Sequence, residues 1–403
     1  MLSLMLLLGC RHEVEAPGPV FPDVYTPQTD LRPWDDVRVE TETWSVDDDP
    51  DMLALYVRKS FDHRVSAPVE SLAHFDAMRG QIPPLGAGAR LSFAGDAMWV
   101  GGNWANIADP VAGLVDGDLA VANLETPTSP LASTEQGALG LYNFNAPTAY
   151  LDGLPFDVLQ LNNNHSLDAG EEGLEATVAE LAARGIGATG VDEHLVRDGI
   201  ALLSYTWGLN HGNVASQHEL FVVPFGHLEE EIDLSGIAED IASARDQGAE
   251  SVVALLHWGY EYEYYPDPHF MVLARQIIAA GADLIVGEGP HVVQPPELCH
   301  VNQAGYTAGV GTCAIETEDG EPRTAAVLYS LGNFATDMLT VPCQVGIVAT
   351  VSLDPDVTGL GWQAVATVAG PSVVPLSEAL EDEDLAAESA RLEAHLGAGW
   401  RRD

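Results

Sequence analysis

Carboxylates, amides and imidazoles recur along this chain in short clusters at wide spacing. Asp96 lies in Gly95-Asp96-Ala97-Met98, and Asn123 and Glu125 lie in Ala122-Asn123-Leu124-Glu125. Asn164 and His165 fall in Asn163-Asn164-His165-Ser166-Leu167-Asp168-Ala169-Gly170, and His257 in Leu256-His257-Trp258-Gly259. Glu288 and His291 share Gly287-Glu288-Gly289-Pro290-His291-Val292-Val293-Gln294-Pro295, and Asn333 sits in Tyr329-Ser330-Leu331-Gly332-Asn333-Phe334. Carboxylate oxygen, amide oxygen and imidazole nitrogen together bind hard-to-borderline divalent ions. Two such ions about 3.5–4 Å apart activate water and stabilise negative charge developing at a phosphorus or carbonyl centre. One cluster alone would mean little, since Gly, Asn and Asp end strands through turn chemistry and a lone His is commonly a hydrogen-bonded core residue. Their joint placement carries the chemistry.

That placement follows from the elements between them. Leu91–Ala94 runs into Gly95-Asp96, Leu119–Ala122 into Asn123-Leu124-Glu125, and Val158–Leu161 into the Asn-rich cluster. Val252–Leu256 ends at His257, Leu284–Val286 at Gly287-Glu288, and Ala326–Ser330 at Leu331-Gly332-Asn333. Between them, Leu174, Val178 and Leu181 give Gly170–Arg184 a helical spacing, and Phe270–Ala280 also reads as helix. Apolar run, polar loop and helix in alternation predict an α/β fold with buried strands. In such folds ligands bind beyond the carboxyl ends of the strands, where these clusters fall.

The six motifs, in order over roughly residues 90–350, resemble those of the CapA family. These are capsule or poly-γ-glutamate biosynthesis proteins related to calcineurin-like metallophosphoesterases. The resemblance implies a metallophosphoesterase-like sandwich of two β-sheets flanked by helices. It also implies an extracytoplasmic role in making, exporting or anchoring an anionic polymer such as poly-γ-glutamate. Carried onto this sequence, it makes Asp96, Glu125, Asn164, His257 and His291 groups in or beside the shell of divalent metal ions (Mn, Mg, Zn or Fe), with Glu288 a conditional ligand. His165 becomes the general acid or substrate contact, and Asn123 and Asn333 become hydrogen-bond donors at the rim. Two residues depart from the pattern. Met98 stands where the wider phosphoesterases place the His of Asp-x-His, and a thioether is a poor ligand for hard cations. Glu288 stands where CapA-like chains carry a His after the Gly. Two functions remain open at this point. One is metal-dependent hydrolysis or transfer on an envelope polymer or its phosphorylated precursor. The other is a non-catalytic component of a polymer synthesis and export assembly, working beside membrane-embedded proteins with a degenerate metal site.

Composition narrows the partners. The 403 residues are 46% apolar, enough for a full core, and carry a formal charge of −45 from 61 acidic against 16 basic residues. Lys59 is the only lysine. A surface this acidic repels phosphate backbones and excludes nucleic acid as a partner; it also opposes any polyanion unless a bound cation intervenes. The first ten residues form an apolar run too short to span a bilayer. They end in Leu7-Leu8-Gly9-Cys10, which resembles a bacterial lipobox and predicts a lipoprotein anchored at the membrane through Cys10, in the periplasm or on the cell surface. Residues 11–40 read as an acidic, Pro-rich tether, 41–88 as an N-terminal extension packed on the main domain, 89–375 as that domain, and 376–403 as a solvated acidic C-terminal helix. Cys299, Cys313 and Cys343 fit no zinc spacing; a Cys299–Cys313 bridge and three buried thiols both remain open. Tyr260, Tyr262, Tyr264 and Tyr265 would either wall a substrate cleft or pack a partly buried loop.

Overall fold

Each apolar run singled out above forms a strand, and turn residues end it. The computed structural model describes residues 31–35, 37–38, 50–134, 144–210, 216–226, 231–318 and 320–402; Cys10 and most of the tether lie outside them. The strands are β1 (Ala89–Met98), β2 (Leu119–Glu125), β3 (Val158–Gln160), β4 (Gly187–Thr189), β5 (Leu195–Arg197), β6 (Ile200–Thr206), β7 (Ser251–His257) and β8 (Leu284–Glu288). They continue with β9 (Glu297–Val301), β10 (Cys313–Ile315), β11 (Arg323–Leu328), β12 (Asn333–Ala335), β13 (Val345–Leu353), β14 (Val357–Val368) and β15 (Ser372–Pro375). The helices are α1 (Pro50–Phe61), α2 (Val69–Met78), α3 (Ala149–Asp152), α4 (Gly170–Arg184), α5 (Ser235–Asp246), α6 (Pro268–Ala279) and α7 (Glu383–Leu396).

One sheet has the order β15-β14-β13-β1-β2-β3-β4, with β12 added parallel to β1; the other has the order β10-β9-β11-β8-β7-β6-β5. Both are mixed. Strands β1 to β4 run parallel, as do β6, β7, β8 and β11, while β13 to β15 are antiparallel additions. Alternation along β2 shows how the layers stack. Leu119 and Val121 join a core shared with Leu203, Val253 and Ile285 of the second sheet. Ala120 and Ala122 face outward onto Tyr150 and Leu151 of α3 and Leu181 of α4. The result is two sheets face to face with helices outside, as the motifs imply.

Local chemistry sets the helix ends. Gly185 closes α4 in the left-handed conformation (φ 73°). Asp267 caps α6 by accepting from the His269 amide, with Pro268 in its first turn. Asp382 caps α7 in the same way. That last helix is not the fully solvated element expected of it: Leu385, Glu388, Leu392, His395 and Leu396 make a buried stripe. Phe75, Met78 and Ile82 from the N-terminal side enter the same core as Leu392, Leu396 and Trp400. The disulfide alternative is realised, Cys299 of β9 joining Cys313 of β10, while Cys343 is a buried free thiol. A loop of that size adds roughly 3 kcal/mol in the chain-entropy description. Among the described residues, no helix is long and apolar enough to cross a membrane.

Candidate metal centre

The site lies where β1, β2, β7 and β8 end, and two glycines make the approach possible. A Cβ on Gly95 would fall 1.8 Å from the Gly332 carbonyl oxygen. Its absence lets β12 come alongside β1, so that Asp96 donates its amide to Gly332 and pairs in register with Asn333. Gly289, at φ 107°, gives its amide to Asp96 Oδ2 at 3.3 Å. His291 follows in the left-handed region (φ 58°), unusual for a residue with a side chain and typical of a position held by function.

Asp96, Glu125 and His291, all buried, each bring one ligand atom within 4.8 Å of the other two. His291 Nδ1 is 3.2 Å from Asp96 Oδ2 and 3.9 Å from Glu125 Oε2. His257 spans the same carboxylates, Nδ1 at 3.9 Å from Asp96 Oδ1 and Nε2 at 3.6 Å from Glu125 Oε1. Asn123 is oriented by Asn163, whose amide donates to its carbonyl at 3.0 Å, so its own NH2 group faces Asp96 Oδ1 at 2.8 Å and His257 Nδ1 at 3.2 Å. With Nδ1 accepting, the network assigns the His257 proton to Nε2, toward Glu125. Cation ligation by His257 therefore requires one of these contacts to be exchanged.

Electrostatics sort the groups. Burial alone would lift the Asp96 carboxyl, but the His291 hydrogen bond, the charges of His257 and His291 and the Asn123 amide hold it below its usual range. Burial and then the Asp96 charge push Glu125 well up, and burial with Asp96 and Glu125 does the same to Glu288. Burial drives His257 down to about 4. Burial also opposes charge on His291, yet Glu125 and Asp96 raise it to about 10.

The remaining candidates are near but differently engaged. Glu288 pairs in register with His257, and its Oε2 is a buried acceptor with no hydrogen bond. Asn164 turns its amide toward Asn210 Oδ1 at 3.5 Å and leaves a buried Oδ1 without a partner. His165 Nε2 lies 4.0 Å from Glu125 Oε1. Asn123 and Asn333 are fully buried rather than on the rim, because both brace site residues from beneath. Asn333 Oδ1 faces His291 Nδ1 at 3.0 Å, and its amide donates to Cys343 O at 2.8 Å. Met98 points elsewhere, its sulfur accepting from Thr336 Oγ1 at 3.5 Å. Tyr260, Tyr262 and Tyr264 are buried and serve packing, not an open cleft. Sequence reasoning gave no role to Asp168, Asn163, Asn210 or Glu261. The i,i+3 spacing of His165 and Asp168 was a usable signal; Asn210 offered none.

The profile of the bacterial capsule synthesis protein family PGA_cap matches residues 90–338, more than half of the chain. The chain belongs to this family. Its two sheets and flanking helices are accordingly a metallophosphoesterase-like sandwich. Over 198 residues it is 31% identical to the capsule biosynthesis protein CapA of Bacillus anthracis, covering 45% of this chain and 40% of that protein. It is likewise 31% identical over 194 residues to the PGA biosynthesis protein CapA of Bacillus subtilis (strain 168), covering 45% and 43%. A probable polyglutamine synthesis accessory protein of Mycobacterium tuberculosis is 28% identical over 166 residues, 38% of this chain and 44% of that one. The chain thus spans less than half the length of these curated relatives. The crystal structure of a hypothetical protein from Thermus thermophilus overlaps 68% of this chain and 98% of its own at 14% identity, with a TM-score of 0.35, too loosely to inform the site.

Proposed function

We propose that this protein serves the synthesis, export or anchoring of an anionic, poly-γ-glutamate-like capsule polymer, through a divalent-cation centre built on Asp96 and Glu125. Glu125 carries this reading. It is fully buried beside a second carboxylate, and neither of its oxygens accepts a hydrogen bond. Such burial is unfavourable unless a cation completes it. Asn164 Oδ1 and Glu288 Oε2 are further buried acceptors without partners. The donors are oxygen and imidazole nitrogen with no thiolate, a set that fits Mn, Mg, Fe or Zn.

A divalent cation there would supply Lewis acidity toward a phosphoryl or carbonyl oxygen. Asp96 and Glu125 would bind it, and Asn123 and Asn333 would hold Asp96 and His291 in position. His165, steadied by Asp168, is set to move a proton at Nε2. In a chain of charge −45, an anionic polymer or precursor needs local neutralisation of that kind before it can approach. The activity we propose for such a centre is metal-dependent hydrolysis or transfer on that polymer or its phosphorylated precursor. One observation favours a second, non-catalytic reading as a binding or architectural component: Met98 offers only a sulfur already turned toward Thr336.

Metal analysis of protein purified without chelators tests the centre. Wild type saturated with Mn or Zn should retain roughly one to two ions per chain, and Glu125→Gln should retain fewer. A wild type that holds none would end the cation reading. We also propose an extracytoplasmic lipoprotein anchored through Cys10; if wild type and Cys10→Ala partition equally into the aqueous phase of a detergent extraction, that anchor is wrong.

A further inference from the structure

We infer that Glu261 is the carboxylate partner of His291 at the cation centre, set in place by Tyr56 of helix α1, so that the N-terminal segment forms part of the centre. The inference rests on the cation centre proposed above.

The two ring nitrogens of His291 face opposite ways. Nδ1 looks into the carboxylate pair, 3.2 Å from Asp96 Oδ2 and 3.9 Å from Glu125 Oε2, so it is the nitrogen placed to meet a cation there. An imidazole that ligates through Nδ1 carries its proton on Nε2. The carboxylate on that side is Glu261, with Oε1 at 4.0 Å. Histidines that bind metal donate their second N–H to a carboxylate, carbonyl or water, which fixes the tautomer and raises the basicity of the ligating nitrogen. At 4.0 Å the contact is longer than a hydrogen bond. Here Nδ1 serves Asn333 and Asp96; ligation through Nδ1 would put the ring proton on Nε2, the side on which Glu261, 19% exposed, is the carboxylate.

Glu261 is directed by the N-terminal segment. Its other oxygen, Oε2, accepts from the Tyr56 hydroxyl. The Tyr262 ring neighbours both sides of this arrangement, 5.8 Å from the Tyr56 ring and 6.1 Å from the His291 ring. Arg64 donates its amide to Tyr262 O at 2.9 Å, and Tyr264 returns one to Arg64 O at 3.0 Å, clamping the loop to the residues that follow α1. Tyr262 adopts a left-handed backbone (φ 63°) between two carboxylates with different fates. Glu263 is buried among Lys59, Arg38 and Arg64, whereas Glu261 meets His291. The N-terminal side thus neutralises Glu263 with three of its cations and meets Glu261 through the Tyr56 hydroxyl.

Calorimetric zinc titration of the full chain tests this, with wild type, Glu261→Gln and Tyr56→Phe compared. Glu261→Gln should weaken zinc binding about 10–100-fold, and Tyr56→Phe should weaken it in the same direction by less. The visible spectrum of the cobalt(II)-loaded protein should change in Glu261→Gln, and the urea midpoint of the metal-free protein should shift only slightly in either variant, by the loss of one hydrogen bond. If wild type binds zinc and Glu261→Gln binds it within twofold, Glu261 is not the partner of His291. Loss of affinity matched by loss of metal-free stability would reduce the contact to packing and overturn the inference. A wild type that binds no divalent cation would instead remove the centre itself, a separate and distinguishable failure.

Discussion

His165 Nδ1 lies 2.6 Å from Asp168 Oδ2, a pair closed within one turn of chain. Asp168 Oδ2 also accepts from the Phe144 amide at 2.7 Å, and the Phe144 ring covers the imidazole at 4.3 Å between centroids. The Asn210 amide approaches Nε2 at 3.3 Å, so the network places the His165 proton on Nδ1 and makes Nε2 an acceptor, on the side where Glu125 Oε1 lies 4.0 Å away. Proton transfer at Nε2, as proposed, would need this orientation of the ring by a carboxylate.

Nitrogen-15 spectra of the imidazole should therefore show wild-type His165 protonated at Nδ1, and Asp168→Asn should mix the tautomers. His165→Ala should leave zinc affinity unchanged and lower whatever phosphodiester hydrolysis the protein shows by about 10²–10⁴-fold. A tautomer that ignores the Asp168 substitution would separate the two residues functionally.

Glu288 sets the second expectation. Its buried carboxyl crowds Asp96 and Glu125, and burial with those two charges lifts its pKa well above the usual range. An oxygen donor here biases the centre toward manganese or magnesium and away from zinc. Glu288→His should tighten zinc binding by roughly tenfold, ~1.4 kcal/mol, and His257→Ala should weaken it in either background. Equal zinc affinities in wild type, Glu288→His and the double variant would exclude both positions from metal binding.

Acid stability is the third. Arg38, Lys59 and Arg64 outweigh the burial of Glu263, and Arg275, His74 and Tyr329 outweigh that of Glu297, so both carboxyls fall to about 2. Their folded pKa values are depressed, so their stabilisation is complete above about 4.5 and is lost as pH falls toward 2. His63 and His395, driven by burial to about 4 and about 3, add a loss that begins below 6.5. The urea midpoint should thus decline from about pH 6.5 downward, steepening below about 4.5. Glu125 and Glu288, raised above their usual range, act in the opposite sense, so the check is the slope: His63→Gln should flatten it between pH 6.5 and 4.5, and an unchanged slope would contradict a buried neutral His63.

Much of this architecture was legible because strand ends and chemistry coincide. Asp96, Glu125, His257 and Glu288 each close an apolar run, and each stands at or near the end of a strand. Strands β13 to β15 were not legible, since antiparallel pairing follows from register with β1 rather than from any motif. The roles of Asn123 and Asn333 were misplaced for a related reason: residue type shows a donor, while only the sheet packing shows that it lies beneath the site. Glu261 escaped notice because a tyrosine more than two hundred positions away aims it.

The burial of the sole lysine shapes what reagents can see. Lys59 Nζ is sealed against Glu263 Oε1 at 2.7 Å and Val37 O at 2.9 Å, so the folded surface offers no lysine ε-amine to acylating esters or aldehydes. Arginine supplies the strong cations that do reach solvent, and guanidinium keeps its charge across the working pH range. Acylation at Lys59 then requires α1 to part from the loop that carries Glu261 and Glu263. Its rate becomes a clock for local opening, ticking only when the N-terminal helix lets go.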